Sequence, residues 1–486
     1  MNLASLLLAR AGETPDAVAL VEGDRQVSYA ELEVAAANVA GSLGRLGVVP
    51  GERVAITCHN DVAFVAAYLG ALWAGAVAVP LNPQSPLTVL DGQAERVGAR
   101  VTLCGPGAQD LHELPGAVLV EELLSGAAMA VEVERDDAEL AVLLFTSGTA
   151  GAPRAAMLTH GNLAANIGQV QGHPGLRMRA EDVGIGAPPF FHVFGLNVVL
   201  GVGLQAGMTT VLLDHFNAAI AAELIQRHNV TIIAGVPTMF GSFLEIPEDV
   251  APPETFASVR LAVSGAAELP LERAEAFRAR FGVTIYEGYG LTEAAPIVST
   301  TAIENAPRWG SIGPPLPGVD VRLVGDDGED VVAGDPGEIW VRGQNVFIGY
   351  WDDPEATARV LVDGWLRTGD VAVADDDGYL CLVDRKKDLV IVSGFNVYPA
   401  EVEDVLLAHP EIVDAAVIGI PNARTGEAVA AWVVLDPGAT VTEEEVRSYA
   451  SAHLARYKVP ATVQIVDHLP RNEAGKLLRR ELRVTA

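Results

Sequence analysis

The chain has 486 residues, more than one hydrophobic core usually organises, so we expect at least two domains. Half of the residues are apolar and 49 are Gly, a composition that favours an α/β enzyme with many tight turns over a helical scaffold. The net charge of -31 argues against binding to nucleic acid or to anionic membranes, because a negative surface repels polyphosphates and acidic lipids.

Helices and strands alternate through the first half of the chain. The segment Ser28-Tyr29-Ala30-Glu31 is a capping box, and it predicts a helix that ends near Leu46. Apolar runs predict strands at residues 53–58, 76–81, 141–145, 209–213, 230–234 and 259–263, and a helix at 218–228. Such alternation is typical of a parallel sheet that is covered on both faces.

Two uncharged stretches, residues 62–81 and 183–213, are long enough to raise the question of membrane spans. Gly75 interrupts the first stretch, and Pro188 and Pro189 interrupt the second. We therefore expect buried helix-then-strand units and no integral association with a membrane.

The chain changes character near residue 384. Short strands are predicted at 320–324, 337–341 and 378–383, as in a small β-rich subdomain, and helices at 400–408 and 443–454 belong to a compact α+β unit. Residues 384–486 carry 12 Lys and Arg against 15 Asp and Glu, whereas residues 1–383 carry 20 against 48. We predict an N-terminal domain at 1–383 and a C-terminal domain at 384–486, joined by a short hinge.

The number and spacing of the cysteines indicate the redox environment of the protein. Cys58, Cys104 and Cys381 are an odd number without metal-ligand spacing, so we expect reduced thiols in a cytoplasmic protein. Residues 1–10 contain an apolar run without a basic region before it or a cleavage site, which predicts a short helix rather than a signal peptide. The sequence leaves open whether the protein is a homodimer.

Lysine occurs only at Lys386, Lys387, Lys458 and Lys476, whereas Arg occurs 28 times. Scarce lysine in an acidic chain also fits a salt-adapted or GC-rich genome. Lys476 ends the segment 470–476, a Gly-Lys tail typical of a mobile catalytic loop, and Arg does not replace Lys where a compact, rotatable charge is needed.

A loop rich in Ser, Thr and Gly follows the predicted strand at 141–145. It spans residues 146–154 and ends on Arg154. Backbone amides freed by glycines, with hydroxyl groups and a terminal cation, suit phosphate oxygens. The usual nucleoside triphosphate loop ends in Gly-Lys-Ser/Thr and is absent here, and a solvated Ser/Gly turn is the alternative.

Two further segments place acids where a nucleotide could bind. Tyr286 to Glu293 follows a predicted strand, where ligands gather in open α/β sheets, and Glu293 could hold Mg²⁺. Thr368-Gly369-Asp370 supplies an acid that could bind ribose hydroxyls. Each segment alone could be an ordinary turn.

In this order the segments resemble the adenylate-forming superfamily of acyl-CoA synthetases, luciferases and peptide-synthetase adenylation domains, closest to fatty-acyl-CoA ligases. The resemblance covers essentially the whole chain and rests on the segments 146–154, 289–293, 368–370, 384–388, 393–399 and 475–476. It implies a large N-terminal domain of parallel-rich α/β subdomains with a small β-rich subdomain, followed by a small mobile α+β C-terminal domain. The cofactors implied are ATP, Mg²⁺ and coenzyme A.

The resemblance also implies roles for individual residues. The triphosphate site would comprise Thr146, Ser147, Gly148, Thr149 and Arg154, and the adenine site Gly265, Ala266, Glu287, Gly288 and Tyr289. Thr292 and Glu293 would be catalytic, with Glu293 and Thr149 holding Mg²⁺, while Asp370 and Arg385 would bind the ribose. Two positions depart from the usual pattern: Ala150 stands where a second Thr is common, and Arg154 where Lys is common.

By the same resemblance, catalysis has two steps in two orientations of the C-terminal domain. Lys476 would reach the carboxylate and the α-phosphate during adenylation. Rotation about Lys387 would then withdraw Lys476 and bring Ser393, Gly394 and Phe395 toward pantetheine. The alternative for Lys386 and Lys387 is a solvated pair at the start of a strand.

We expect the acyl group between residues 188–194 and 232–241, which are apolar apart from one imidazole. The resemblance makes His192 a gate or pocket residue, although a lone His in such a run is more often a core residue. In this resemblance, amino-acid-activating relatives usually keep an Asp after the aromatic pair for the α-amine, and malonate-activating relatives carry an Arg near the position of Asp214 for the second carboxylate. Neither residue is present here. These absences favour a monocarboxylic acid with an apolar tail, most simply a fatty acid.

Two alternatives remain at this stage. An aryl-CoA ligase shares much of the pattern, and a protein with a decayed site could act in binding only, given Ala150 and Arg154. The presence of Glu293, Asp370, Arg385 and Lys476 argues against decay.

Overall fold

The computed structural model describes residues 1–106, 114, 116–125, 130–146, 153–303, 307–325, 327–385, 390–392, 395–397, 399–422, 425–454, 457–472, 477–479 and 481–482, with the backbone alone at 384–385, 391, 395–396 and 426. The chain forms two compact units, one of Met1–Asp320 and Val341–Leu366 and the other of Val321–Trp340 and Arg367–Ala486. The division at 384 stays a prediction.

Helices occur throughout the described chain. They are α1 (Leu3–Leu7), α2 (Ala9–Glu13), α3 (Tyr29–Arg45), α4 (Val62–Trp73), α5 (Leu87–Arg96), α6 (Val120–Leu124), α7 (His160–Gly172), α8 (Val202–Ala206), α9 (Ala218–Arg227), α10 (Pro237–Glu245), α11 (Leu271–Phe281), α12 (Pro354–Val360), α13 (Pro399–Leu407) and α14 (Glu443–His453). A π-helix spans Phe194–Gly201, and 3₁₀ turns span Pro253–Phe256 and Thr292–Ala294.

The strands before residue 301 are β1 (Val18–Glu22), β2 (Arg25–Ser28), β3 (Arg53–Thr57), β4 (Val77–Pro80), β5 (Ala99–Cys104), β6 (Ala117–Leu119), β7 (Leu140–Thr146), β8 (Arg154–Thr159), β9 (Val183–Gly186), β10 (Thr209–Leu212), β11 (Ile232–Gly235), β12 (Leu261–Ser264), β13 (Ile285–Gly290) and β14 (Ile297–Thr300). Those after it are β15 (Val319–Val324), β16 (Gly337–Gly343), β17 (Leu361–Val362), β18 (Trp365–Ala374), β19 (Leu380–Arg385), β20 (Val390–Val392), β21 (Phe395–Val397), β22 (Ile412–Asn422), β23 (Gly426–Leu435) and β24 (Thr462–Ile465).

Sheet 1 contains eight described strands in the order β14-β13-β12-β11-β9-β10-β1-β2. Its six central strands are parallel, and β2 and β14 run antiparallel at the edges. The aromatic rings of α10 and α11 pack edge to face beneath it, with the Phe240 and Phe277 centroids 5.5 Å apart. This buried packing fixes the strands whose carboxyl ends carry the predicted adenine residues.

Sheet 2 has six described strands in the order β6-β5-β3-β4-β7-β8. All neighbours are parallel except β7 and β8, which form an antiparallel pair in which Thr146 faces Arg154. The hairpin thus places both ends of the predicted phosphate loop at the carboxyl end of β7.

The last part of the described chain contributes two smaller sheets of five strands each. Sheet 3 has the order β15-β16-β18-β17, with β19 paired to β18, and sheet 4 has the order β21-β20-β23-β22, with β24 paired to β23. Helices α13 and α14 cover sheet 4, whose apolar core includes Val402, Leu406 and Val446. The predicted small α+β unit therefore has its own core.

The structure confirms the mixed α/β fold with a large N-terminal part and a smaller C-terminal domain. Ser28 and Glu31 form the reciprocal capping bonds that start α3. The first uncharged stretch is α4 followed by β4, as expected, whereas the second begins with β9 before its helices. No helix among the described residues is long and apolar enough to cross a membrane.

Candidate active site

The predicted adenine residues lie side by side at the carboxyl edge of sheet 1. Gly265 directly follows β12, and Glu287, Gly288 and Tyr289 lie in the neighbouring strand β13. The Gly265 amide donates to the Gly235 carbonyl oxygen at the end of β11, 3.0 Å away. A Cβ on Gly265 would lie 3.4 Å from the Gly288 oxygen, so the two segments approach closely. The structure therefore brings these residues together.

Ala266 has a left-handed backbone. Its φ is 69°, and its side chain is exposed at the edge of the sheet. This conformation costs a residue other than Gly on the order of 1 kcal/mol. Such strain often marks functional backbone, and here it turns the chain away from β12 beside the predicted adenine site.

Glu287 closes the loop that carries Ala266. Its carboxylate accepts a hydrogen bond from the Leu269 amide at 3.1 Å, and only 7% of the residue is exposed. Burial raises the pKa of Glu287 to about 7; the Leu269 amide opposes this rise and the nearby Glu268 adds to it. The protonation state of Glu287 therefore changes near neutral pH.

The backbone around Glu293 is irregular, and distant donors satisfy it. The Phe347 amide donates to the Glu293 carbonyl oxygen at 2.9 Å, Asn345 Nδ2 to that of Ala294 at 2.8 Å, and Asn197 Nδ2 to that of Ala295 at 2.7 Å. Because both Asn side chains are buried, these bonds hold the turn that presents Glu293.

Gly290 is required by the same turn. A Cβ at this position would come within 2.2 Å of the Pro296 carbonyl oxygen, a distance that only the absence of a side chain avoids. Thr292 begins the 3₁₀ turn two residues later, so the close approach helps to set the direction of both Thr292 and Glu293.

Glu293 belongs to a small network that sequence reasoning missed. The Tyr350 hydroxyl donates to Glu293 Oε1 at 2.7 Å. The Arg154 guanidinium lies over the Tyr350 ring, 5.7 Å from its centroid, and Arg154 Nε donates to Asp353 Oδ2 at 3.0 Å. Burial and the adjacent Glu293 raise the pKa of the Tyr350 hydroxyl well above its usual range, so it remains a donor.

This network connects two parts of the predicted nucleotide site in the first unit. Arg154, expected to serve phosphate, is held by Asp353 and Tyr350, and Tyr350 orients the residue expected to hold Mg²⁺. Thr146 Oγ1 donates to the Arg154 carbonyl oxygen at 3.4 Å. Ser147, Gly148 and Thr149 lie outside the described residues.

The segment with His192 is held by one buried side chain. Asn60 Nδ2 donates to the carbonyl oxygens of Gly186 and Pro188, both at 2.9 Å, and Asn60 Oδ1 accepts from the Phe190 amide at 2.9 Å. His192 follows two residues later, half-buried, with its ring centroid 4.7 Å from that of Phe191. Nothing in the local sequence of Asn60 indicated this role, because its partners lie more than 120 residues away.

The second unit places the predicted ribose residues opposite each other. Asp370 in β18 pairs in register with Arg385 in β19, and Asp370 is 8% exposed. The Asp370 amide donates to Thr368 Oγ1 at 3.1 Å, which shapes the turn before it. Phe395 begins β21, while Lys387, Ser393, Gly394 and Lys476 lie outside the described residues.

Lys458, for which the sequence indicated no role, forms an ion pair. Its Nζ lies 2.6 Å from Glu401 Oε2 and also contacts Oε1, and it sits over the Tyr457 ring. Lys458 therefore takes part in an ion pair within the C-terminal domain.

The described donors suit a magnesium nucleotide. Glu293 offers a carboxylate oxygen, the atom type that Mg²⁺ prefers, and Arg154 supplies a cation near the end of the phosphate loop. Ala266 is exposed at the edge of the sheet, next to the buried Gly265 and Glu287. The family model described as AMP-binding enzyme matches residues 7–351, and the model of the AMP-binding enzyme C-terminal domain matches residues 401–476.

The chain belongs to the AMP-binding enzyme family. A feruloyl-CoA synthase from Amycolatopsis sp is 37% identical over 488 residues, covering 99% of this chain and 98% of the relative. A long-chain-fatty-acid–CoA ligase from Yersinia pestis is 35% identical over 517 residues, covering 96% of this chain and 91% of the relative.

Solved structures agree with this assignment. ATP-bound MatB from Rhodopseudomonas palustris has a TM-score of 0.93 and 34% identity, covering 100% of this chain and 98% of that one. The O-succinylbenzoate coenzyme A synthetase of Bacillus subtilis with ATP and magnesium has a TM-score of 0.87 and 33% identity, covering 98% of this chain and 99% of that one. Together the matches support ATP-dependent acyl-CoA ligase activity, which uses ATP, Mg²⁺ and CoA.

Glu287 predicts a pH-dependent stability for this AMP-binding enzyme. Its folded pKa of about 7 lies above the ordinary 4.5, so the native state favours the protonated form. The resulting stability is fully present below about pH 4.5 and is lost as the pH rises through about 7, at a cost on the order of 3 kcal/mol. Glu287→Gln removes the charge and should therefore be more stable than wild type at pH 8 and similar at pH 5.

Denaturant unfolding of the nucleotide-free protein at both pH values measures this difference. Glu275→Gln, at an exposed position of α11, is the matched control and should follow wild type. If Glu287→Gln loses as much stability as wild type between pH 5 and pH 8, burial of Glu287 does not impose the predicted cost.

Tyr350→Phe tests the positioning of Glu293. The variant keeps the ring but removes the hydroxyl donor, a bond to a charged group worth about 1.5–3 kcal/mol. We expect the Mg²⁺ concentration for half-maximal adenylation to rise roughly tenfold, since about 1.4 kcal/mol corresponds to a factor of ten. The KM for the acid should stay unchanged.

Pyrophosphate release at varied Mg²⁺ and varied acid separates these two constants. Tyr449→Phe, which removes a hydroxyl that donates to the Ala408 carbonyl oxygen, controls for the loss of a tyrosine hydroxyl elsewhere. Equal changes in both constants, or no change in either, would exclude a positioning role for Tyr350.

Proposed function

We propose that this chain activates an apolar monocarboxylic acid, with a fatty acid as the first candidate, and transfers the acyl group to coenzyme A. In the first step a carboxylate oxygen of the acid attacks the α-phosphorus of ATP. The bond from that phosphorus to the bridging oxygen breaks, which yields acyl-AMP and pyrophosphate. In the second step the CoA thiol attacks the acyl carbon, its proton is lost to solvent, and AMP leaves.

Both reactants of the first step are anions, so the site must supply positive charge where negative charge accumulates. Bound Mg²⁺ would neutralise phosphate charge, held by Glu293 and Thr149. In this proposal Lys476 adds an ammonium group at the acid and the α-phosphate, and Arg154 serves the phosphate loop. The Tyr350 hydroxyl keeps Glu293 oriented.

The side chains of the two segments expected to bind the acyl group, residues 188–194 and 232–241, support an uncharged substrate tail. Phe191, Phe194 and Met239 are half-buried side chains at the carboxyl edge of sheet 1. Residues 188–194 and 232–241 contain no Asp, Glu, Lys or Arg, so a second carboxylate or an amine on the substrate would lack a charged partner there. This composition supports an acid whose tail is uncharged.

The turn after residues 188–194 requires Gly at position 195. At Gly195 a Cβ would lie 2.2 Å from the Pro189 carbonyl oxygen, so the π-helix can begin at Phe194, two residues after His192, only with Gly at position 195. We propose that His192, on this turn, gates the acyl tail. The bond from the Leu196 amide to the His192 carbonyl oxygen, at 2.8 Å, holds its backbone.

An aryl acid is the second candidate. The full-length similarity to a feruloyl-CoA synthase supports it, whereas the similarity to a long-chain-fatty-acid–CoA ligase supports the aliphatic acid. Half-buried aromatic side chains can pack against either kind of tail.

The C-terminal domain, proposed at residues 384–486, would carry the switch between the two steps. Asp370 and Arg385 are proposed to bind the ribose hydroxyls, and their opposition across β18 and β19 supports a shared ligand. Lys387 is proposed as the pivot, with Ser393, Gly394 and Phe395 approaching pantetheine after rotation.

A panel of acids tests the substrate class. Alkyl monocarboxylic acids of increasing length, ferulate and 4-coumarate are compared by CoA-dependent AMP formation, with a dicarboxylic acid and an amino acid as charged controls. We expect the highest kcat/KM for an alkyl acid and little activity for the charged controls. Preference for ferulate would select the aryl candidate, and failure to release pyrophosphate from ATP with any of these acids would leave only a binding role.

Lys476→Ala tests the first half-reaction separately from the second. Loss of a preorganised cation should lower adenylation by about 10²–10³, while conversion of supplied acyl-AMP to acyl-CoA largely persists. Lys476→Arg should also impair adenylation, because a planar guanidinium does not reproduce a compact ammonium group.

Lys458→Ala is the matched control, because Lys458 is occupied by Glu401. It should leave the ratio of the two half-reactions unchanged even if it lowers stability. Normal adenylation by Lys476→Ala would remove Lys476 from the proposed mechanism.

A further inference from the structure

Two histidines and an aspartate meet at the carboxyl ends of strands from different sheets. His59 lies two residues after β3 of sheet 2, and Asp214 and His215 follow β10 of sheet 1. One ligand atom from each of the three side chains lies within 4.8 Å of the others. The roles assigned to the nucleotide and acyl sites do not use these side chains.

Asp214 is the centre of the group. One of its carboxylate oxygens lies 2.9 Å from His59 Nδ1, and the other lies 2.8 Å from His215 Nδ1. The two imidazole ring centroids are 4.9 Å apart. A carboxylate is thus shared between two neighbouring rings that are tilted by 45° to each other. The His59 and Asp214 side chains are partly exposed, by 31% and 51%.

We propose that His59, Asp214 and His215 form a binding site for a divalent transition-metal cation such as Zn²⁺. Bonds of 2.0–2.2 Å in a tetrahedral site place ligand atoms about 3.3 Å apart. The present separations bracket that spacing, so small side-chain rotations bring all three ligands onto one cation. The exposure of the group leaves a further position for water.

The donor set selects the class of metal. Two imidazole nitrogens and one carboxylate oxygen suit Zn²⁺, Co²⁺ or Ni²⁺, whereas Mg²⁺ prefers oxygen ligands throughout. The Gln84 carboxamide contacts His215 Nε2. With its oxygen turned toward that ring, the carboxamide accepts the Nε2 proton and orients the ring while Nδ1 binds the metal.

The site would join the two sheets of the first unit. His59 precedes Asn60, which holds Gly186 and Pro188 at the end of sheet 1, and His215 precedes Phe216, whose ring packs 5.4 Å from that of Phe243 in the core. A cation bound by the folded protein and absent from the unfolded chain stabilises the fold. Occupancy should therefore raise the melting temperature as well as bind metal.

The test uses the full-length protein, freed of metal with a chelator and kept in excess Mg²⁺. Titration with Zn²⁺ in a calorimeter should show one saturable equivalent, and the melting temperature should rise by several degrees. His59→Ala and His215→Ala should each weaken binding at least about tenfold, and the double variant should lose it. Co²⁺ should give a visible absorption band in the wild type that is absent from the double variant.

Two controls locate the bound metal. His468→Ala removes an exposed histidine elsewhere, and Glu293→Gln removes the proposed Mg²⁺ ligand; both should bind Zn²⁺ as the wild type does. Asp214→Asn keeps the shape but removes the charge, so it should bind weakly while its metal-free melting temperature shows whether the variant folds. Absence of saturable Zn²⁺ binding, or binding that survives in the double variant, would show that the three residues form only a hydrogen-bonded group.

Discussion

Buried asparagines hold the irregular backbone that leaves the carboxyl edge of sheet 1. A chain that departs from a parallel sheet exposes amide and carbonyl groups, and burial without partners would cost about 1–3 kcal/mol for each. Asn60, Asn197 and Asn345 supply these partners, each with 5% or less of its surface exposed. The turns that present His192 and Glu293 therefore depend on carboxamides that touch no substrate in the proposed mechanism.

Two carboxyl groups at the same edge of sheet 1 have different surroundings. Glu287 is buried with only the Leu269 amide as a described carboxylate partner, and its pKa is about 7, whereas Glu293 receives the Tyr350 hydroxyl. Glu287 thus supports the backbone, while Glu293, the predicted Mg²⁺ ligand, is oriented by a side chain. Arg154, at the end of the predicted phosphate loop, lies over the Tyr350 ring, and Tyr350 donates to Glu293. Arg at a position where Lys is common therefore has defined partners in the structure.

Local patterns predicted the elements well, because each depends on neighbouring residues. The capping box at Ser28 gave the start of α3, and the apolar runs gave β3, β4 and β7 within about two residues. Tyr350, Asp353 and Asn60 were missed because their partners lie 57, 199 and more than 120 residues away in sequence. To predict that Asp370 lies opposite Arg385, one must know the register of β18 and β19, and neither sequence motif contains that information.

The scarcity of lysine does not by itself mark a functional residue. Lys458, the lysine within the described chain, contacts both carboxylate oxygens of Glu401, a geometry that a guanidinium also achieves. Lys458 therefore has a structural role that Arg could also fill. The proposed role of Lys476 therefore depends on its place in the Gly-Lys tail and on the positive charge needed between two anions, and not on the scarcity of lysine.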